Sequence, residues 1–278
     1  MDNFFLQDEH QANPGMYLHE NTKNFRHGSQ FYSDAELTTQ DAVAWIYDIY
    51  TDERILDEVA LPAVTQAEVP GMNCLDTFLT RRSTRKYADK PLDITELSHF
   101  LKLAYPIDSS EKASTPGALP HQTLSQWNGH VTCCRLVLLI KNVTGVAPGA
   151  YLYDEFSHSL KLIRAESRHN IDDFLKQYCF QAEFIESPVL LLQVGSIKAS
   201  TERYGERGYR YMLLEDGVQI QRMYLSGASL GLACCATGSL VQGKVESWLG
   251  LDGFNGSVLN GFVIGHYCPA PEASHDHA

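Results

Sequence analysis

Residues 203–231 read RYGERGYRYMLLEDGVQIQRMYLSGASLG. From Met212 to Leu225 the apolar residues recur at helical spacing, with Glu215, Asp216 and Gln219 among them. The pattern predicts a long helix over 209–232. Gly217, Ser226, Gly227 and Ala228 interrupt it with small residues. Each interior glycine costs about 1 kcal/mol of helix propensity against alanine, so the glycines are read as places where another backbone comes close, at a helix–helix or subunit contact. Gly227-Ala228-Ser229-Leu230-Gly231 also fits G-x-S-x-G. A nucleophile elbow needs a strand before its serine and a helix after it; a helix precedes Ser229, so it is not read as a nucleophile. The beginning of the stretch packs three Arg and three Tyr into 203–211. A tyrosine there can donate or accept a proton, and Arg–aromatic pairs can frame a planar ligand. Packing and ion pairing at a helix start account for the same composition.

Outward from this helix, Val131–Ile140, Pro188–Val194 and Val258–Ile264 are nearly continuous apolar runs of strand length. Tyr151–Asp154 and Ser159–Ile163 flank a four-residue polar link and read as a hairpin. Asn73 is placed to cap one short helix. Asp93 with Glu96 resembles a capping box ahead of Leu97, Phe100, Leu101 and Ala104. Asn170–Phe180 is helical, and 106–129 form a long loop of the length usually reserved for function. The expected organisation is an N-terminal arm over 1–72 with a short helix, one domain over 73–268, and a flexible tail over 269–278. The fold class is α+β, a central mixed β-sheet flanked by helices.

The 278 residues carry 22 Lys and Arg against 34 Asp and Glu, a formal net charge of −12. That balance argues against wrapping nucleic acid or lying on an anionic membrane. The longest apolar run falls short of the roughly 20 residues a membrane helix needs. The opening MDNFFLQDEH lacks a basic region followed by an apolar one, so no secretory signal is expected and the location is read as cytoplasmic. Seven cysteines include the adjacent pairs Cys133-Cys134 and Cys234-Cys235 but no C-x-x-C. They are read as buried free thiols, with no zinc-ligand spacing. No G-x-G-x-x-G follows a strand, and Walker A and H-E-x-x-H motifs are absent.

Against the acidic background, Arg81-Arg82-Ser83-Thr84-Arg85-Lys86 stands out. Guanidinium forks pair bidentately with phosphate oxygens and a serine adds a donor. A solvated basic surface is the plain alternative.

Taken in order, these motifs resemble the nitroreductase superfamily, and within it the SagB-type dehydrogenases, flavin enzymes that oxidise thiazolines and oxazolines in modified peptides. Residues 17–23, YLHENTK, resemble a YHExTK opening; 81–87, RRSTRKY, followed by Pro91, resemble RRSxRxF…P. Lys141–Tyr153 resembles RNVxGLxPGLYHY, 203–217 resemble KYGxRGYRxxLLExG, and 231–238 resemble GLGACAIGG. The resemblance implies a nitroreductase-like fold whose long helix forms the core of a homodimer. It implies FMN as cofactor, its phosphate held by Arg81, Arg82, Ser83 and Arg85. Asn128 and Gly129, in the loop before the central strand, would approach the flavin. Ala236, Thr237 and Gly238 would lie by the ring edge, with a backbone N–H on N5. Tyr204 would accept or relay a proton with Arg203 nearby. The azoline oxidases carry Lys-Tyr where this chain has Arg203-Tyr204, and Arg stays protonated, holding charge without serving as a base. The late strand ends at His266, where relatives often carry a basic phosphate partner. The implied activity is an FMN-dependent dehydrogenase acting on a ring or amine centre in a peptide or carrier-bound intermediate, within a biosynthetic complex. The alternatives are an NAD(P)H-dependent nitro or quinone reductase and a flavin-poor scaffold subunit of a peptide-modifying complex.

Overall fold

The computed structural model describes residues 15, 18–19, 49–50, 54–64, 72–105, 133–155 and 157–268. Its elements run in the order β1 (Asp57–Ala60), α1 (Cys74–Thr80), α2 (Ile94–Ala104), β2 (Cys134–Ile140), β3 (Gly149–Asp154), β4 (Ser159–Ala165), α3 (Arg168–Tyr178), a 3-10 turn (Ala182–Glu186), β5 (Val189–Gly195), α4 (Ile197–Tyr204), α5 (Arg207–Ser229), β6 (Ala233–Thr237), α6 (Gln242–Leu249) and β7 (Ser257–Gly265).

β2 and β5 are buried along their whole length because helices cover both faces of the sheet. That is why their sequences are mostly apolar rather than alternating, with Arg135 and Gln193 as buried polar exceptions. On one face Leu136, Leu138, Ile140, Phe262 and Ile264 meet Leu97, Phe100 and Leu101 of α2 and Met223 of α5. On the other, Val137, Leu139, Leu190 and Leu192 meet Ile171 and Leu175 of α3 and Val245 and Leu249 of α6. Each such side chain contributes about 1.5–3 kcal/mol by leaving water. The seven strands lie in the order β1-β4-β3-β2-β5-β7-β6. Among the described residues all six ladders are antiparallel. The parallel component expected of a mixed sheet is confined to an isolated bridge between Leu92 and Val143. Residues 57–60, assigned to the arm from sequence, add an edge strand to β4.

The predicted caps form. Asn73 accepts the Asp76 N–H at 2.9 Å, and Asp93 and Glu96 close a reciprocal capping box. Helix α5 ends at Ser229 rather than at 232, because Gly231 takes φ +68° and turns the chain into β6. The apolar Leu230–Leu232 had carried the helical pattern too far, and β6 itself, five residues around two cysteines, offered no strand signal. The G-x-S-x-G motif thus lies at a helix-to-strand turn, the reverse of an elbow. The glycines of α5 divide by environment. A Cβ at Gly208 would sit 1.9 Å from the Ser200 carbonyl oxygen, and one at Gly227 2.2 Å from Cys234 Sγ, whereas at Gly217 it would meet nothing within 4 Å. The seven cysteines are free, five buried, with Cys74 and Cys268 exposed. No described helix is long and apolar enough to cross a membrane.

The β3–β4 hairpin turns through His158, at φ +50°. Ser98 Oγ donates to Pro62 O at 2.6 Å, so it must accept from His158 Nε2 at 2.8 Å. Nδ1 is then the acceptor of the Tyr153 hydroxyl, at 2.9 Å. The ring is held neutral: burial, with the Lys102 charge second, pulls its pKa down to about 4.

Two tests follow from this packing. Gly227→Ala should destabilise by about 1–3 kcal/mol through overpacking against Cys234, measured by urea unfolding, and Cys234→Ala should restore part of the loss. Because the His158 pKa is lower folded than the 6.5 of the free side chain, the unfolded chain binds the extra proton. Stability should therefore fall as pH drops from about 6.5 to 4. His158→Asn, which tolerates φ > 0, should flatten urea midpoints across that window.

Candidate functional site

The basic segment leaves the C-terminal end of α1, where the Arg81 N–H bonds Thr77 O at 3.0 Å. Arg82 Nη1 donates to Leu79 O at 2.9 Å and Arg81 O at 2.8 Å. It satisfies carbonyls left open at the helix end, so this member of the predicted phosphate set also serves the local fold. Ser83 and Arg81 turn instead to Tyr224 of α5. Ser83 Oγ is 2.9 Å from the Tyr224 hydroxyl, and the Arg81 guanidinium lies 5.0 Å above the Tyr224 ring. The Thr84 N–H donates to Cys234 O at 2.8 Å, laying the segment along the outer edge of β6. Tyr87 Oη donates to Thr84 O at 2.5 Å.

The same Tyr224 hydroxyl accepts the Ala236 N–H at 2.8 Å. Two stretches more than 140 residues apart, one read as a phosphate site and one as lying by the flavin edge, thus meet on one tyrosine. Of the three residues expected by the flavin edge, Ala236 has its N–H engaged by Tyr224. Thr237 Oγ1 is likewise turned to Gln181 Oε1 at 2.9 Å and Ser239 Oγ at 2.6 Å. Gly238 is exposed, with nothing within 4 Å of a Cβ built there. His266 faces α2 rather than the arginines, its Nε2 3.3 Å from Glu96 Oε2. Burial pushes the neighbouring Cys234 thiol up to about 12, so it is protonated and inert. Exposed Arg85, part-buried Arg81 and the Ser83 hydroxyl form a donor set that suits a phosphate monoester.

Tyr204 closes α4, ahead of Gly205 at φ +58°. It is buried edge-to-face on Tyr211 at 5.2 Å, and Arg207 lies 5.0 Å over the Tyr211 ring. Arg203 belongs to the same helix, but its side chain lies outside the described residues, as do Asn128 and Gly129. Tyr211 and Tyr224 are about 20 Å apart along α5, at roughly 1.5 Å per residue. Within one chain the arginine cluster and Tyr204 therefore occupy opposite ends of the helix.

Sequence reasoning missed Tyr224, Glu215 and Asp216 as organising residues. The available signal was two adjacent carboxylates on the stripe of α5 that faces the sheet. Glu215 accepts the N–H groups of Cys133 at 3.1 Å and Cys134 at 3.4 Å. Asp216 accepts from Asn260 Nδ2, while burial raises its pKa to about 6, partly offset by that bond. Nearby, the Tyr105 hydroxyl, the Gln193 amide, Gln219 Oε1 and Asn260 Oδ1 are buried without a hydrogen-bond partner among the described residues. Such groups are the usual seats of ordered water. No group of His, Cys, Asp and Glu suited to a metal occurs among the described residues.

An antiparallel sheet between helical layers, with an arginine–serine cluster beside its last edge strand, defines a nitroreductase-like fold. The model of the nitroreductase family matches residues 79–266, and the chain belongs to that family, whose members are oxidoreductases. It is 28% identical to MJ1384, a nitroreductase-like protein of Methanocaldococcus jannaschii, over 194 residues covering 69% of this chain and 89% of that one. Among solved structures, a nitroreductase-like protein from Anabaena variabilis superposes with TM-score 0.66 at 20% identity, covering 91% of this chain and 47% of that one. One from Ralstonia eutropha gives 0.60 at 22%, covering 77% and 90%. A chain of the E. coli microcin synthetase McbBCD complex with truncated pro-MccB17 bound gives 0.54 at 16%, covering 94% and 100%.

Tyr224→Phe removes the acceptor of the Ala236 N–H and the partner of Ser83. A loss of about 1–3 kcal/mol is expected, read from the shift in urea midpoint at unchanged slope.

Proposed function

We propose that this chain is an FMN-dependent dehydrogenase, acting as a homodimer on a ring (thiazoline- or oxazoline-like) or amine centre of a peptide or carrier-bound intermediate. The observation that carries the FMN reading is the convergence of Arg81, Ser83 and the Ala236 N–H on Tyr224. Arg81, Ser83 and Arg85 hold the phosphate, with Arg82 adding charge from its capping position. Gly238 leaves an open approach for the planar ring. Bound there, FMN supplies two-electron oxidation and reduction. Tyr204 exchanges a proton at its hydroxyl, and Arg203, always protonated, contributes a fixed positive charge.

The distance between the two ends of α5 favours a site shared between subunits. Two copies packed with their α5 helices antiparallel bring the Tyr204 end of one toward the arginine cluster of the other. Gly217, with open space above it, admits the close approach, and the exposed Leu75, Phe78, Leu79, Leu213 and Leu214 supply apolar surface to cover. Support for a peptide or carrier-bound substrate is narrower: Tyr204, kept where the azoline oxidases have Lys-Tyr although Arg203 replaces the Lys, and the fold shared with a chain of the microcin synthetase complex.

The visible spectrum and released-cofactor mass of the purified protein test the reading. Flavin absorbance with the mass of FMN is expected; protein that is colourless and takes up no FMN would sink it in favour of a scaffold subunit. Arg85→Ala should weaken FMN binding about tenfold or more, the weight of a charge-assisted hydrogen bond. Tyr204→Phe should keep the flavin and lower turnover about 10²- to 10⁴-fold. Turnover of nitroaromatics with NADPH, and none of an azoline-bearing peptide, would instead identify a reductase.

A further inference from the structure

Glu215 lies in the middle of α5 with its carboxylate enclosed, the residue 1% exposed. Its Oε2 accepts the Cys133 N–H at 3.1 Å and its Oε1 the Cys134 N–H at 3.4 Å. Cys134 is the first residue of β2, and Cys133 immediately precedes it, outside the ladder with β5. The other side of the same junction is also tied down: the Ser196 N–H donates to Cys133 O at 2.8 Å. Ser196 is the N-cap of α4, its Oγ accepting the Ala199 N–H at 3.1 Å. Helix α4 ends at Tyr204, and α5 rests on α4 where Gly208 meets the Ser200 carbonyl. One buried carboxylate thus touches a junction from which two paths leave. Backward in sequence, the chain leads to Asn128 and Gly129; across the Ser196 bond, a helix leads to Tyr204.

We propose that Glu215 is a positioning residue, whose grip on two successive amides sets the start of β2 against α5 and so places the helix that carries Tyr204. The consequence for catalysis rests on the FMN reading above; the positioning itself does not. A carboxylate offers acceptors only, so both amides can point at it, and charge-assisted bonds of this kind strengthen where water is excluded. An amide in its place presents one acceptor and one donor, and the donor faces an N–H. Asp216, the next residue, is nearly as enclosed but bonds Asn260 of β7 rather than the start of β2. It therefore reports what loss of a neighbouring buried charge does by itself.

The test is amide hydrogen exchange on the full chain without added flavin, followed by titration with FMN. In the wild type, Cys133 should be protected although it precedes the strand. Glu215→Gln should speed exchange at Cys133 and Cys134 about tenfold or more, the weight of one charge-assisted bond, while Leu190–Leu192 of β5 stay within about twofold. Asp216→Asn should leave Cys133 and Cys134 within about twofold. With FMN, Glu215→Gln should retain binding, since the arginine cluster lies toward the other end of α5, but shift the visible band of the bound flavin. Unchanged exchange at Cys133 and Cys134, or acceleration spread equally over β5, would overturn the proposal. Should Glu215→Gln not fold, Glu215→Asp keeps the charge at shorter reach and should give intermediate exchange; wild-type exchange there would overturn the proposal equally. If wild-type protein takes up no FMN, the FMN reading fails, and the exchange data alone decide the role of Glu215.

Discussion

At two points the backbone of α5 comes so near its neighbours that a single methyl group would collide, at Gly208 against the Ser200 carbonyl and at Gly227 against the Cys234 sulfur. The first sets α5 against α4, and the second fixes its height above β6. With that height set, Glu215 reaches the amides before β2, Asp216 reaches Asn260 on β7, and the Tyr224 hydroxyl reaches both Ser83 and the Ala236 N–H. None of these bonds spans more than a few ångströms, so each fails if the helix rises by a methyl group. The cost of two interior glycines is about 1 kcal/mol apiece in helix propensity, offset by packing that larger residues would forbid.

The face of α5 turned to the sheet is unusual in being polar along its middle. Hydrophobic burial secures its ends, through Met212 and Met223, and hydrogen bonding orders the centre. Apolar contacts tolerate sliding, whereas buried carboxylates and amides do not, because a displaced partner leaves a desolvated group unmet. Such a face serves register more than stability. That suits a helix expected to align residues contributed from both of its ends.

The sequence was legible where one element sufficed. Predominant apolarity announced β2, β5 and β7, side-chain caps announced α1 and α2, and the crowding of Arg and Ser at 81–85 stood out as a candidate anion site before any geometry was known. Pairwise geometry was not legible. Tyr224 carries no mark distinguishing it from the thirteen other tyrosines, yet it joins the 81–85 segment to β6. Ala236 lies in the expected stretch, but its N–H is taken by a residue twelve positions earlier. β6 escaped because two cysteines between alanines have neither the β-branched character nor the alternation of a strand, and its identity comes from pairing with β7. Helix α5 overran because Gly231 stops a helix through its backbone angle, which no periodicity reports.

The hydrogen bond from the Thr84 N–H to Cys234 O has a meaning apart from any ligand. β6 is the last strand of the sheet, and its sequence, Ala-Cys-Cys-Ala-Thr, is short, uncharged and apolar. An uncovered edge of that kind is a template for pairing with another chain, the usual first step of aggregation. The opposite edge, β1, is guarded by Asp57 and Glu58. On β6 the guard is the cationic segment itself, laid alongside it. The residues proposed to hold a phosphate also cover a strand edge, so changes at 81–85 that loosen the segment uncover that edge as well as disturb the proposed phosphate site.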